Sequence, residues 1–307
     1  MDLVLYSHPD MALHRPRPSH PERPERLAAV LHALDMDRYA ALDRIEAPLA
    51  TREQLLRAHS AEYVDRIFAD APREGAHRLD EDTVMSPGSL DAALRAAGAV
   101  VAAVDAVMSG NHGQRAFCAV RPPGHHAGPT NAMGFCLFSN IAIAARAAQG
   151  AGLPRVAIAD FDVHHGNGTQ AVFEADPTVF FASVHESPAY PGTGVPSETG
   201  VGNIANATVP PGATRQAWRA AFEGLVARID AFAPDVILVA AGFDAHARDP
   251  LAEQSLEAED YAWATHALVE VADHRCSGRM VSLLEGGYDL EALGRSAAAH
   301  ARALAET

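Results

Sequence analysis

At 307 residues and 32.4 kDa, with 48% hydrophobic and 21% charged residues, the chain has the composition of a globular protein and not of a disordered one. Its net charge of −15 excludes nucleic-acid binding by counterion release, which needs a basic surface, and leaves a cationic substrate or partner open. The cysteines Cys118, Cys136 and Cys276 cannot all pair, the amino terminus lacks a basic start and apolar run, and no apolar stretch reads as approaching ~18 residues, so a cytoplasmic chain with no membrane contact is expected.

In chain order, Leu3–Tyr6 reads as a short buried strand, and the Pro-rich segment Asp10–Pro24 as a long surface loop. Helical periodicity covers Glu22–Leu34, Arg52–His59 and Ser89–Met108, the second opened by the capping pair Thr51 and Gln54. The strand Ala116–Val120 runs into RPPGHHAG and is followed by a helix over Ile141–Gln149. Strands Val156–Asp160 and Thr178–Ser183 come next, then the Gly/Pro-rich segment Glu186–Gly212, read as a second long loop. The remainder alternates: helix Arg215–Ala231, strand Val236–Ala241, helix Glu259–His274, strand Met280–Leu284, helix Leu290–Leu304. Such alternation implies an α/β domain, a mostly parallel sheet between helices, over 1–307 with no linker or repeat.

The unusual polar residues fall just past the carboxyl ends of predicted strands, where ligands bind in open α/β sheets. Ala116–Val120 delivers His125 and His126; Val156–Asp160 delivers Asp160, Asp162, His164 and His165; Val236–Ala241 delivers Asp244; Met280–Leu284 delivers Tyr288. On an extended strand end Asp162 and His164 would share a face and hold one metal, with Asp244 as third ligand. Two carboxylates and one imidazole leave a position for water, as in catalytic zinc sites. His125 and His126 suit proton transfer, and Tyr288 suits hydrogen bonding to an oxyanion. Together these make a hydrolase of amides or esters. A His–His pair, an Asp-x-Asp or a Gly-Gly-Tyr alone is ordinary, and it is their conjunction that points to chemistry. His165 is expected behind the ligands. His8, His14, His20, His59, His77, His246 and His274 are read as surface, loop or helix residues, and Glu253, Glu257, Glu259 and Asp260 as a solvated helix start.

RPPGHHA, GFCLFSN, DFDVHHGNGTQ, AGFDAHARDP and LEGGYD, in this order, resemble the zinc-dependent histone deacetylase superfamily, and SHPERPERL and DEDTVMSPGSL are also similar to its members. The resemblance implies an arginase-like fold with an eight-stranded parallel sheet, zinc (or iron(II)) on Asp162, His164 and Asp244, and potassium on Asp160, the carbonyls of Asp162 and His164, Ser183 and Val184. By the same resemblance His126 is the general base, His125 its electrostatic or acid partner, Asp160 the aspartate behind His125, and Tyr288 the carbonyl-polarising tyrosine. Asn167 replaces the aspartate that class I enzymes place behind the second histidine, which is the class II pattern. Gly134 and Phe135 match one wall of an acyl-lysine channel, Tyr190 the opposite wall, and Asp82 a residue that holds the substrate backbone.

Polyamine-selective relatives carry glutamate seven residues beyond the last metal ligand, where this chain has Leu251. Acyl-lysine side chains of proteins or peptides are therefore the favoured substrates, with acetylpolyamines or other small amides as the alternative. A silent acyl-amine-binding protein and a binuclear manganese ureohydrolase are weaker readings, because every catalytic residue is in place and only one ligand cluster is seen. A homo-oligomer is allowed, with Asp10–Pro24 packing on a second subunit or rimming the channel.

Overall fold

Burial of Val- and Ala-rich runs dictates the architecture. The computed structural model describes residues 3–35, 42–110 and 115–306; the ends of the 1–307 domain expected from sequence, and its residues 36–41 and 111–114, lie outside the described residues. The main sheet is built from β1 (Leu3–Ser7), β2 (Asp43–Glu46), β5 (Arg115–Cys118), β6 (Val156–Asp160), β7 (Val179–Glu186), β8 (Ile204–Val209), β9 (Val236–Ala241) and β10 (Met280–Leu284). β3 (His77–Arg78) and β4 (Val84–Met85) form a small antiparallel pair outside it. The eight strands are all parallel and lie in the order β2–β1–β5–β10–β9–β6–β7–β8. β5, β6, β7, β9 and β10 are buried at every residue, as strands covered on both faces must be.

The covering helices fall into two sets. α4 (Ser89–Ser109) and α5 (Asn140–Gly150) pack on each other and over β1, β5, β10, β9 and β6. α1 (Pro24–Leu34), α9 (Leu290–Ala305), α8 (Ala258–Arg275) and α7 (Arg215–Phe232) pack in series over the other face. α2 (Arg52–Leu55), α3 (Ala61–Asp70) and α6 (Asn167–Phe173) are short connectors. The predicted parallel sheet between helices is thus observed, and its order makes β5, β10, β9 and β6 neighbours, so the residues that follow them meet at one edge.

Several local expectations are corrected. β2 is exposed throughout and charged at every residue but Ile45, so it shows no apolar run; it forms because β1 offers it a free edge. β8 lies inside the predicted loop Glu186–Gly212, its Asn206 and Thr208 diluting the strand signal. The capped helix at Thr51 ends at Leu55. Asp10–Pro24 is not a free surface loop: it contains most of a 3₁₀ turn, Pro9–Leu13, and buries His14 and His20. His59, His246 and Asp260 are also buried, Asp260 between Arg215 and Arg219. α4, contrary to the reading of apolar stretches above, is long and apolar enough to cross a membrane by length and composition, yet 67% of that window is buried within the fold. It runs closely under residues 47–50, where a Cβ at Gly98 would stand 2.0 Å from the carbonyl oxygen of Pro48.

His300 on α9 is fully buried between Thr265 Oγ1 (2.6 Å) and Ser282 Oγ (2.7 Å), and burial lowers its pKa to about 3. Above the unfolded value of about 6.5 neither state is protonated there, so its stability contribution is complete. Below it the unfolded chain takes a proton the fold refuses, and stability falls towards pH 3 at about 1.4 kcal/mol per pH unit. Urea unfolding should therefore show the wild type losing about 1 kcal/mol more than His300→Gln between pH 7.0 and 5.5; equal losses would refute the assignment.

Candidate active site

The centre of the site is a turn. β6 ends at Asp160, so Asp162 and His164 do not share a strand face as the sequence reading supposed. Instead Asp162 Oδ1 accepts the His164 N–H at 2.9 Å, a local side-chain-to-backbone turn that folds His164 back over its own partner. His164 Nδ1 then lies 3.1 Å from Asp162 Oδ1 and 3.2 Å from Asp244 Oδ2. One ligand atom from each of these residues falls within 4.8 Å of the others. Main-chain donors hold the carboxylates from outside the cluster: Gly286 N to Asp162 Oδ2 at 2.8 Å and Val163 N to Asp244 Oδ1 at 2.9 Å.

These groups fit a cation. Asp162 and Asp244 are 1% and 0% exposed, and two carboxylates cannot share a buried point without positive charge. Asp244 Oδ2 is buried without a hydrogen-bond partner. Glycine is required on the floor: a Cβ at Gly286 would lie 2.1 Å from Asp244 Oδ2, and one at Gly242 2.2 Å from Asp162 Oδ2. An oxygen-rich set with one imidazole suits zinc or another divalent first-row metal.

The tandem histidines sit beside this cluster with unlike partners. His125 Nδ1–H donates to Asp160 Oδ2 at 3.1 Å, and its Nε2 is 3.7 Å from Asp162 Oδ1. Burial opposes its charge, but Asp162 and Asp160 outweigh burial and raise its pKa to about 10. His126 Nδ1–H donates to Asn167 Oδ1 at 2.7 Å, which leaves Nε2 with a free lone pair. Burial, then repulsion from His125 and His164, holds its pKa well below the usual imidazole value. The rings are 3.9 Å apart, so a charged and a neutral imidazole stand side by side. Asp160 is also the register partner of Ser183 on β7, and Ser183 Oγ is 2.9 Å from His185 Nδ1; Val184 follows, fully buried. His165 bonds to Thr193 and Gln170 behind the ligands, as expected.

Tyr288 and the residues expected as channel walls come next. Tyr288 follows Gly287, which adopts φ 117°, and burial raises its phenol pKa so that it stays a donor. Phe135 stands edge-on to Tyr288 at 6.0 Å, and Tyr190 edge-on to His126 at 5.2 Å and His164 at 6.1 Å. Gly134 and Phe135 both have positive φ (57° and 68°), and a Cβ at Gly134 would meet the His126 ring at 2.3 Å. Asp82 Oδ1 is engaged by Gly134 N (3.0 Å) and the Thr83 hydroxyl (2.8 Å). Leu251 is 40% exposed.

Several supporting residues were not singled out from sequence. Arg26 donates to the carbonyls of Gly287 (2.6 Å) and Glu285 (2.5 Å), with its guanidinium 4.8 Å from the Tyr288 ring. Glu22 binds Arg26 and Arg121, all three fully buried. Glu285 Oε2 accepts Gly124 N and His125 N (2.7 and 3.2 Å), fixing the turn that carries both histidines. His20 Nε2–H donates to the carbonyl of Asp82 and its ring packs on Phe135. The signal available was the density of charged residues in SHPERPERL, which a solvated helix start also explains.

A family model described as histone deacetylase domain matches residues 20–304. A histone deacetylase-like amidohydrolase of Pseudomonas aeruginosa is 39% identical over 88% of this chain and 72% of its own length. A probable deacetylase of Archaeoglobus fulgidus is 37% identical over 92% of this chain and 80% of its own. Among solved structures, the crystal structure of the HDA15 HD domain superposes with a TM-score of 0.93 at 35% identity, covering 99% of this chain and 88% of that one. With the ligand cluster, the histidine pair and the sheet that gathers them, these likenesses make the chain a member of the histone deacetylase family of deacetylases and amidohydrolases.

Proposed function

We propose that the chain is a zinc-dependent deacylase that hydrolyses N-acetyl, or longer N-acyl, amides of lysine side chains in proteins or peptides. The observation that carries this reading is the buried convergence of Asp162, His164 and Asp244 beside the paired rings of His125 and His126. Bound there, zinc supplies Lewis acidity for the amide carbonyl and an acidified water. His126 takes the proton of the attacking water at Nε2, its ring oriented by Asn167. Asparagine brings no charge, so the imidazolium formed is less stabilised than over a carboxylate, which favours passing the proton on. His125, its Nδ1–H held by Asp160, is the partner placed to balance the developing negative charge, and the Tyr288 hydroxyl donates to the oxyanion. A protonated imidazole of the pair then returns a proton to the departing amine. Potassium is assigned to Asp160, the carbonyls of Asp162 and His164, Ser183 and Val184, where it would steady the β6–β7 ends.

Leu251, which the resemblance puts at the channel rim, supports acyl-lysine over polyamines, since an exposed apolar side chain offers nothing to a secondary ammonium. The chain's 24 basic residues are all arginine, so no lysine of its own competes for the channel. Its cysteines are buried and unpaired, which supports a reducing, cytoplasmic setting. The acidic run Asp80–Glu81–Asp82 favours acetylpolyamines instead, although Asp82 is partly committed to Gly134 and Thr83.

Tyr288→Phe and His126→Ala should each lower kcat by about 10²–10³-fold on an acetyl-lysine peptide while retaining one metal per chain; near-wild-type turnover in either would overturn its role. Gly286→Ala should fold but fall well below one zinc per chain in equilibrium dialysis, because its methyl group displaces both carboxylates. The specificity constant should favour acetyl-lysine peptide over acetylputrescine, and the reverse order would select the small-amine reading.

A further inference from the structure

We infer that Asp249 is a positioning residue that sets the Leu251 rim and the Tyr288 turn together, so that seating of the substrate and alignment of the tyrosine are coupled through one carboxylate. The inference rests on the reading that Tyr288 polarises the scissile carbonyl. Asp249 lies five residues past the ligand Asp244, on the connection leaving β9. Because β9 and β10 are paired neighbours, that connection runs beside the turn that carries Tyr288. Its two oxygens are divided between the two segments: Oδ2 accepts the N–H of Tyr288 at 2.6 Å, and Oδ1 the N–H of Leu251 at 3.0 Å. Asp249 is only 8% exposed, so these bonds form away from bulk water, where a hydrogen bond is electrostatically stronger.

Its surroundings suit transmission. Upstream, the connection is pinned by Ala247 N to Leu256 O and Asp249 N to His246 O (2.8 Å each). Downstream, Leu251, which the family resemblance puts at the channel mouth, is 40% exposed. On the Tyr288 side, Arg26 holds the carbonyls of Gly287 and Glu285, while Asp249 holds the N–H of Tyr288 itself, so the turn is gripped from opposite polarities. Arg248 adds exposed bridges to Asp289 and Glu291, stitching the same two segments.

Only an acceptor-only group serves here, because both partners are N–H donors; an asparagine would aim its own NH₂ at one of them. Asp249→Asn is therefore the near-isosteric test, run on the metal-loaded enzyme with melting temperature and metal content as controls. We expect kcat on an acetyl-lysine peptide to fall about tenfold or more, with KM also changed, since sub-ångström misplacement of a reacting partner is costly. In the Tyr288→Phe background the same substitution should lower kcat less than about threefold, because the group it aligns has gone. Equal losses in both backgrounds, or no loss in the wild-type background, overturn the inference. Tyr288→Phe with wild-type turnover overturns the underlying reading and the coupling with it, and is told apart by that single variant. If Asp249→Asn loses metal or its melting transition, Asp249→Ser, which keeps one acceptor, takes its place in the double-mutant cycle: a loss that shrinks without the Tyr288 hydroxyl supports the coupling, and a loss that does not shrink overturns it.

Discussion

Buried negative charge is the constraint from which the rest of this structure follows. Asp162 and Asp244 face one point in a medium where two like charges cannot both persist, and His164 brings a lone pair to the same place. Keeping them apart from water yet together requires rigid supports on every side. The sheet supplies these by making β5, β10, β9 and β6 adjacent, and the peptide N–H groups of Val163, His164 and Gly286 hold the carboxylate oxygens. The attraction for a metal is thus built from main-chain geometry, with side-chain choice confined to the ligands.

The same logic separates the two histidines. They share a turn and nearly share a volume, yet one rests on a carboxylate and the other on a neutral amide. A charged imidazole next to an uncharged one is the division of labour that acid–base chemistry near pH 7 requires. Glu285 steadies the turn that carries both, so the contrast in charge does not become a contrast in position.

Much of this is legible in the sequence. Short apolar strands ending in His, Asp and Tyr place ligands at a carboxyl edge whatever the details of the helices, and four such endings narrow the chemistry sharply. The pairing of Asp162 with His164 is readable from their spacing, but its cause is not the pleat: an Asp side chain closing on its own backbone does the folding. Less visible are β2 and β8, edge strands whose pairing depends on a neighbour and not on their own periodicity. Glu22, Arg26 and Arg121 are hidden for a related reason. Charged residues look solvated until the tertiary fold brings their partners, and Glu22 meets Arg121 across 99 positions, Arg26 meets Gly287 across 261.

The floor and the mouth of the site differ in their tolerance of change. Gly242 and Gly286 have no room for a methyl group, whereas Tyr190 and Leu251 are 41% and 40% exposed. Change on the floor therefore reaches the carboxylates directly, whereas change at these two exposed side chains is met first by solvent.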